Sequence, residues 1–138
     1  MNLIGRSIFR GEAAGHTLCT SMGISFFGGV DPDTGVIVEK GHELFGQSIA
    51  GKILVFPSGK GSTVGSYTLY RLKKNGLAPV AILNSECETI TAVGCIISEI
   101  PCIDHLNISL LSTGMIVRID AKGGVVEIPS ERLEDNNG

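Results

Sequence analysis

The 138-residue sequence has no tryptophan, and aromatic residues make up only 5% of it. No apolar run reaches the roughly 18 residues that a membrane-spanning helix needs, so no membrane segment is predicted. Positive charge is not in excess either, because 11 basic and 14 acidic residues give a net charge of −3. With no basic patch, a nucleic-acid-binding protein is also a poor interpretation.

The first residues, 1–6, lack the apolar segment of a secretory signal, and we therefore expect a cytoplasmic protein. None of the four cysteines, Cys19, Cys87, Cys95 and Cys102, forms a C-x-x-C pair. Their spacing matches neither zinc sites nor iron–sulfur sites, so they are expected to be buried thiols. We predict no metal site and no cofactor held by this chain.

What the sequence does contain is apolar residues (43%) and 19 glycines, a composition typical of short strands joined by tight turns. Its length predicts a single domain over 1–138. The polar segment 130–138 is expected to fray as a tail.

Periodicity divides the chain into strands and two helices. Helices are predicted at 64–74 and 89–97. Strands are predicted at 3–10, in a second stretch that ends at residue 19, and at 36–38, 52–56, 78–83, 101–104, 115–120 and 125–128. The segment 52–104 therefore reads as βαβαβ, an arrangement that makes parallel strand pairs. The prediction is an α/β fold in which β segments from both ends pack around this central parallel unit and pair with each other.

One loop, between the predicted strand at 52–56 and the helix at 64–74, contains the best candidates for chemistry. Its backbone N–H groups point toward whatever lies in front of the helix, which suits an anion or a developing oxyanion. The order Gly59-Lys60-Gly61-Ser62-Thr63 fails the Walker spacing, and Val64 breaks a dinucleotide fingerprint. The loop is therefore not predicted to bind a nucleotide.

Ser62 has two readings that the residues alone leave open. Its hydroxyl can cap the helix, although Thr63 is a second candidate for that role. Alternatively, the positive end of the helix dipole favours its alkoxide, which would act as a base, and Lys60 is a candidate cation beside it.

The remaining polar candidates are weaker. A serine triad would need a histidine near Ser62, but the G-x-S-x-G elbow is absent, and His42 is expected to be a solvated loop residue. Asp31 and Asp33 are predicted to form a turn, and Glu86 and Glu88 are predicted to be solvated loop charges. Because acid and metal groups are missing, the loop is interpreted as half of an active site that a partner chain completes.

Several segments carry a resemblance to a known family. Residues 28–35, 49–52 and 55–67, together with 75–79 and 124–127, resemble the small subunit of the aconitase-X family, and the similarity covers about residues 3–128. The resemblance implies a swivelling β/β/α domain similar to the mobile domain of aconitase. It also implies a heterodimeric dehydratase, a hydro-lyase, in which the large subunit holds an iron–sulfur cluster, expected to be of the four-iron–four-sulfur type.

The resemblance further implies roles and substrates. The family's loop serine, its base, maps onto Ser62. From the chemistry of the loop, and not from the resemblance, we expect Lys60, Gly61 and Thr63 to bind the substrate beside it. Stand-alone small subunits of this kind are typical of archaeal members, which convert (R)-5-phosphomevalonate to trans-anhydromevalonate 5-phosphate in a mevalonate pathway of isoprenoid biosynthesis. Bacterial relatives dehydrate cis-3-hydroxy-L-proline, which is the alternative. A non-catalytic binding domain of the same fold is the other alternative.

Overall fold

The computed structural model describes residues 1–129, so the predicted polar tail at 130–138 lies outside the described residues. Within them the strands are β1 (Asn2–Ile4), β2 (Arg6–Phe9), β3 (Glu12–Cys19), β4 (Ile53–Phe56), β5 (Ala81–Asn84), β6 (Cys102–Asp104), β7 (Ile116–Asp120) and β8 (Val125–Glu127). The helices are α1 (Gly65–Lys74) and α2 (Thr89–Ser98), with a kinked helical segment at Phe26–Gly29 and one 3₁₀ turn at Ile108–Leu110. Neither α1 nor α2 is long and apolar enough to cross a membrane.

All eight of these strands form a single sheet in the order β1-β8-β7-β3-β4-β5-β6-β2. Strands β3, β4, β5 and β6 run parallel, with α1 and α2 as the crossovers between β4, β5 and β6. The N- and C-terminal segments pair antiparallel, β1 with β8 and β3 with β7. The predicted central parallel unit, with β segments from both ends around it, is therefore confirmed.

Strand β4 is buried on both faces. Leu54 and Phe56 belong to one core cluster, with Leu69 and Leu72 of α1. Ile53 and Val55 point the other way, into a second cluster that includes Val117 and Ile119 of β7. A parallel strand covered on both sides has no solvent face, which explains why its sequence is uniformly apolar instead of alternating.

The single strand predicted at 3–10 is wrong, because the segment breaks at Gly5 into β1 and β2. These two strands lie at opposite ends of the sheet order, so the sheet curls until its ends meet at this residue. The Gly5 N–H donates to the Gly124 carbonyl at 2.8 Å. A side chain on Gly5 would collide with the Asp104 carbonyl, so only glycine fits where the chain changes partner strands.

Residues 20–52 form a long connection between β3 and β4. The predicted turn at 31–35 is confirmed, since the Gly35 N–H donates to the Asp31 carbonyl at 2.7 Å. The predicted strand at 36–38 is wrong: it makes only isolated bridges, such as Val36 to Ser48. Its neighbours are themselves loop segments, so no ladder extends from it.

An ion pair ties β2 to the end of β6. Arg6 binds the Asp104 carboxylate with both Nε (2.9 Å) and Nη2 (2.8 Å), and the Cys87 N–H donates to the same carboxylate at 2.8 Å. The Asp104 side chain is fully buried, whereas Arg6 is half exposed. Burial raises the pKa of Asp104, but the hydrogen bonds from Arg6 and Cys87 outweigh it and the net pKa is lowered.

This lowered pKa predicts a specific acid sensitivity. A carboxyl whose folded pKa is depressed stabilises the fold above its unfolded pKa, and that stabilisation is lost as the pH falls through the folded value. We expect the free energy of unfolding to drop below about pH 4. In Asp104→Asn this drop should be smaller, and stability at pH 7 should fall by about 1.5–3 kcal/mol, the usual worth of a charge-assisted hydrogen bond.

Urea denaturation across a pH series measures both effects. Asp33→Asn is the matched control, because the Asp33–Arg71 pair is exposed on both sides and such surface pairs contribute about 0–1 kcal/mol. An unchanged acid dependence in Asp104→Asn would contradict the role given to this carboxylate.

Candidate functional site

The candidate site is the loop 57–64 at the carboxyl end of β4. The Ser85 N–H and the Glu86 N–H, just after β5, both donate to the Pro57 carbonyl at 3.1 Å. On the other side, the Lys60 N–H donates to the Ile24 carbonyl at 3.0 Å. The loop is thus held between the end of the neighbouring parallel strand and the 20–52 connection, at the edge where parallel sheets usually bind ligands.

Gly59 lets this loop pack against the start of α2. A side chain on Gly59 would collide with the Glu88 carboxylate and the Thr91 hydroxyl. The prediction of Glu88 as a solvated charge is wrong, because its carboxylate caps α2 by accepting the N–H groups of Ile90 (2.7 Å) and Thr91 (2.9 Å). The N-terminus of α2 is therefore occupied by a side chain of the protein itself.

Gly61 has a left-handed backbone with φ of +92°. A side chain there would collide with the hydroxyl of Ser25. Both the conformation and the close approach require glycine, and together they place Ser62 at the exposed tip of the loop.

Ser62 lies ahead of the helix instead of starting it. Helix α1 begins at Gly65. Its N-cap position is Val64, whose side chain makes no capping hydrogen bond. The Ser62 Oγ accepts the Val64 N–H at 3.1 Å, and the Ser62 carbonyl accepts the Gly65 N–H at 2.9 Å. The hydroxyl oxygen therefore stabilises the turn into α1, and the same N–H donor would stabilise negative charge on it.

Lys60 pairs with a residue that the sequence did not indicate. Its Nζ lies 2.9 Å from Oε2 of Glu39, which comes from the 20–52 connection. A shallow depression of about 430 Å³ lies here, lined by Ser25, Phe27, Gly28, Gly29, Glu39, Lys60 and Gly61. Ser25 and Glu39 were missed because nothing in their local pattern relates them to a loop more than 20 residues away.

The prediction of His42 as a solvated residue is wrong. It is buried, its Nδ1 accepts the Leu44 N–H at 3.1 Å, and its Nε2 faces the Gly23 carbonyl at 3.0 Å. The accepting role of Nδ1 places the proton on Nε2, which donates to Gly23. Both ring nitrogens thus hold the backbone of the 20–52 connection, and His42 is committed to structure.

A second polar cluster, at the end of β3, also holds that connection. The Glu43 carboxylate accepts the Thr20 hydroxyl, and it accepts the Ser21 N–H at 2.7 Å. These hydrogen bonds, with that from Thr20 the strongest, lower the pKa of Glu43. The carboxylate is therefore ionised and fixed beside a cavity of about 560 Å³ at the ends of β3 and β4.

The described residues do not fit an iron–sulfur cluster. Cys87 and Cys102 have their sulfur atoms 3.9 Å apart, but their mutual hydrogen bond and burial raise the pKa of Cys87 far above its ordinary value. A cluster needs four thiolates around it, whereas Cys87, Cys95 and Cys102 pack in one core cluster and Cys19 packs against the other. Glu86, Asp104 and His105 also converge, with ligand atoms within 4.8 Å of one another, but Arg6 already binds both oxygens of Asp104.

Comparison with known proteins gives consistent results. Residues 2–128 match the family described as the aconitase X swivel domain. The phosphomevalonate dehydratase small subunit of Thermococcus kodakarensis is 56% identical over 135 residues, 98% of each chain. That of Methanosarcina acetivorans is 55% identical over 131 residues, 93% of this chain and 91% of the relative.

Solved structures show the same relationship. The crystal structure of Thermococcus kodakaraensis aconitase X in its holo form superimposes with a TM-score of 0.93 at 55% identity, covering 94% of this chain and 99% of the other. The family match spans nearly all of the described residues, and the structural match confirms the predicted swivelling fold. The chain belongs to the aconitase X swivel-domain family.

Proposed function

We propose that this chain is the small subunit of a dehydratase that removes water from (R)-5-phosphomevalonate to give trans-anhydromevalonate 5-phosphate. The observation that carries the proposal is the exposed Ser62 hydroxyl at the tip of a glycine-shaped loop, with a backbone N–H aimed at its oxygen. Relatives at 55–56% identity, named phosphomevalonate dehydratase small subunit, support the choice of substrate.

Ser62 would act as the base in this reaction. Elimination of water breaks a C–H bond next to the substrate carboxylate and a C–O bond one carbon further on. The Ser62 Oγ takes the proton from carbon, and the electron pair of the C–H bond forms the new double bond. The hydroxyl leaves with the electron pair of the C–O bond and is released as water by an acid that this chain does not supply. The Val64 N–H at 3.1 Å and the positive end of α1 both favour the alkoxide form that this step needs.

The neighbouring backbone would hold the substrate carboxylate. Within residues 1–129 the N–H groups of Gly61 and Thr63 donate to no other atom of the chain. Charge builds up on the carboxylate as the proton leaves, so N–H donors fixed in advance stabilise the transition state more than the ground state. Lys60 adds a positive charge beside the loop, and its Nζ also forms an ion pair with Glu39.

The remainder of the active site would come from a large subunit. His42 is committed to structure, and Asp104 is held by Arg6, so neither is available as the acid that releases the hydroxyl. We place the family's iron–sulfur cluster on that subunit as well, because the described cysteines here do not fit one. The site is then complete only in the heteromeric complex.

The substrate is tested by assaying the complex of this chain with its cognate large subunit. We expect (R)-5-phosphomevalonate to lose 18 mass units, one water, by mass spectrometry, and cis-3-hydroxy-L-proline to be unchanged. Turnover of the hydroxyproline alone would overturn the substrate assignment. Turnover of neither by an assembled complex would favour a non-catalytic binding domain.

Ser62→Ala tests the base. Removing a general base typically costs a factor of about 10²–10⁴ in rate, so we expect kcat to fall by that amount while the complex still assembles. Ser7→Ala is the control, because it removes an exposed hydroxyl from strand β2. If the kcat of Ser62→Ala stayed within a few-fold of the wild type, Ser62 would not be the base.

Gly61→Ala tests the shape of the loop. The new side chain would meet Ser25 in a left-handed backbone, so we expect a displaced loop and a fall in kcat of about 10²-fold, with a stability loss of about 1–2 kcal/mol. Gly46→Ala separates these effects, because Gly46 also has a positive φ (+85°) but faces open space. It should lose similar stability, measured by urea denaturation, and keep its activity; equal kcat losses in both variants would refute the argument.

A further inference from the structure

We propose that an apolar surface next to the Ser62 loop is the face on which the large subunit docks. This docking face consists of Phe27, Val38, Val64 and Tyr67. The inference rests on the proposed function, because it takes the large subunit as the partner that completes the active site. It adds which part of this chain that subunit covers.

The docking face is contiguous. Phe27 is 53% exposed, Val38 43%, Val64 46% and Tyr67 69%, and all four line one groove of about 440 Å³. Single exposed apolar residues are normal on any protein, but side chains of this size sharing one groove mark a surface that is covered in the working protein.

The exposure of Phe27 is built into the fold. Its neighbour Phe26 is buried in the core, while Phe27 leaves the helical region and Gly28 takes a φ of +83°. The Ser25 hydroxyl then donates to the Phe27 carbonyl at 2.9 Å. The turn therefore fixes the backbone that directs the Phe27 side chain outward, which reduces the backbone entropy lost when a partner binds.

The docking face is continuous with the proposed active site. Val64 belongs to the face, and its N–H is the donor to the Ser62 Oγ. Phe27 also lines the depression beside Gly61 and Lys60. A partner that covers the face therefore lies directly beside the serine loop.

This continuity selects the occupant. A second copy of this chain would bring another serine loop to the site, with neither the missing acid nor a cluster. The large subunit is the partner that would complete the chemistry and exclude water from it.

The charges around the docking face indicate that apolar contact, more than net charge, holds the large subunit there. Arg71 pairs with Asp33 at 2.9 Å, and Lys60 pairs with Glu39 at 2.9 Å. Asp31 also lines the groove and accepts the Asp33 N–H at 2.9 Å, so it is the one surrounding charge without an ion-pair partner among residues 1–129. An apolar centre with aromatic residues and a polar rim is the usual anatomy of a protein interface. We infer that the matching surface of the large subunit is mainly apolar and carries no large excess of charge.

Tyr67→Asp tests the proposal, with Ile96→Asp as the matched control. Ile96 is another exposed apolar side chain (49%), on α2, outside the docking face. Binding of each variant to the cognate large subunit is measured by titration calorimetry, and turnover is measured over a range of large-subunit concentrations. We expect Tyr67→Asp to raise Kd at least tenfold, as loss of a central aromatic contact usually does, and Ile96→Asp to leave it unchanged.

The readouts separate this inference from the proposed function. With the large subunit in excess, Tyr67→Asp should recover a kcat within a few-fold of the wild type, whereas Ser62→Ala should bind normally and stay inactive. Unchanged binding by Tyr67→Asp, or weaker binding by Ile96→Asp, would overturn the docking face and leave the role of Ser62 intact. Thermal melting of each isolated variant checks that it is folded.

Analytical ultracentrifugation of the isolated chain tests whether a second copy of this chain covers the docking face instead of the large subunit. We expect a monomer. A wild-type dimer that Tyr67→Asp converts to a monomer would mean that a second copy covers the face, and the proposal would be wrong.

Discussion

Strand β4 is hydrogen-bonded to a parallel neighbour on each edge and covered by a core cluster on each face. All four side chains of β4 are buried, and at its carboxyl end the chain becomes accessible to solvent only after Phe56, where the strand ends. Parallel pairing of β3, β4 and β5 brings their carboxyl ends to the same edge. The serine loop, the Glu43 cluster and the backbone donors of Ser85 and Glu86 therefore all lie around one edge of the sheet.

The central unit was predictable from sequence because its signals are local. Four consecutive apolar residues at 53–56, and the apolar spacing of α1, each describe an element that the structure contains. The failures have a different origin. The break at Gly5 and the buried position of His42 both depend on segments distant in sequence, the β7–β8 turn and the carbonyl of Gly23. Local patterns carry no information about such partners.

The site shows the same division. The position of Ser62 beside a helix N-terminus follows from a strand, two glycines and a helix in succession, and the structure differs from that expectation only in starting α1 at Gly65. The groups that shape the loop could not be inferred, because Ser25 and Glu39 reach it from the irregular 20–52 connection. That connection appears in the sequence only as a loop, yet it supports one side of the serine loop and supplies Phe27 and Val38, two of the four residues of the apolar surface next to it.

The Gly5 crossing has a mechanical consequence. Strands β1 and β2 belong to opposite ends of the sheet, and Gly5 is the single residue that links them. So short a link does not allow one strand to shift along the sheet without the other. Since a shift of one residue turns every side chain of a strand to the other face, the two ends of the sheet are locked in mutual register. The serine loop is thus carried by a sheet whose two ends cannot slide past each other without breaking the strand pairing on both sides of Gly5.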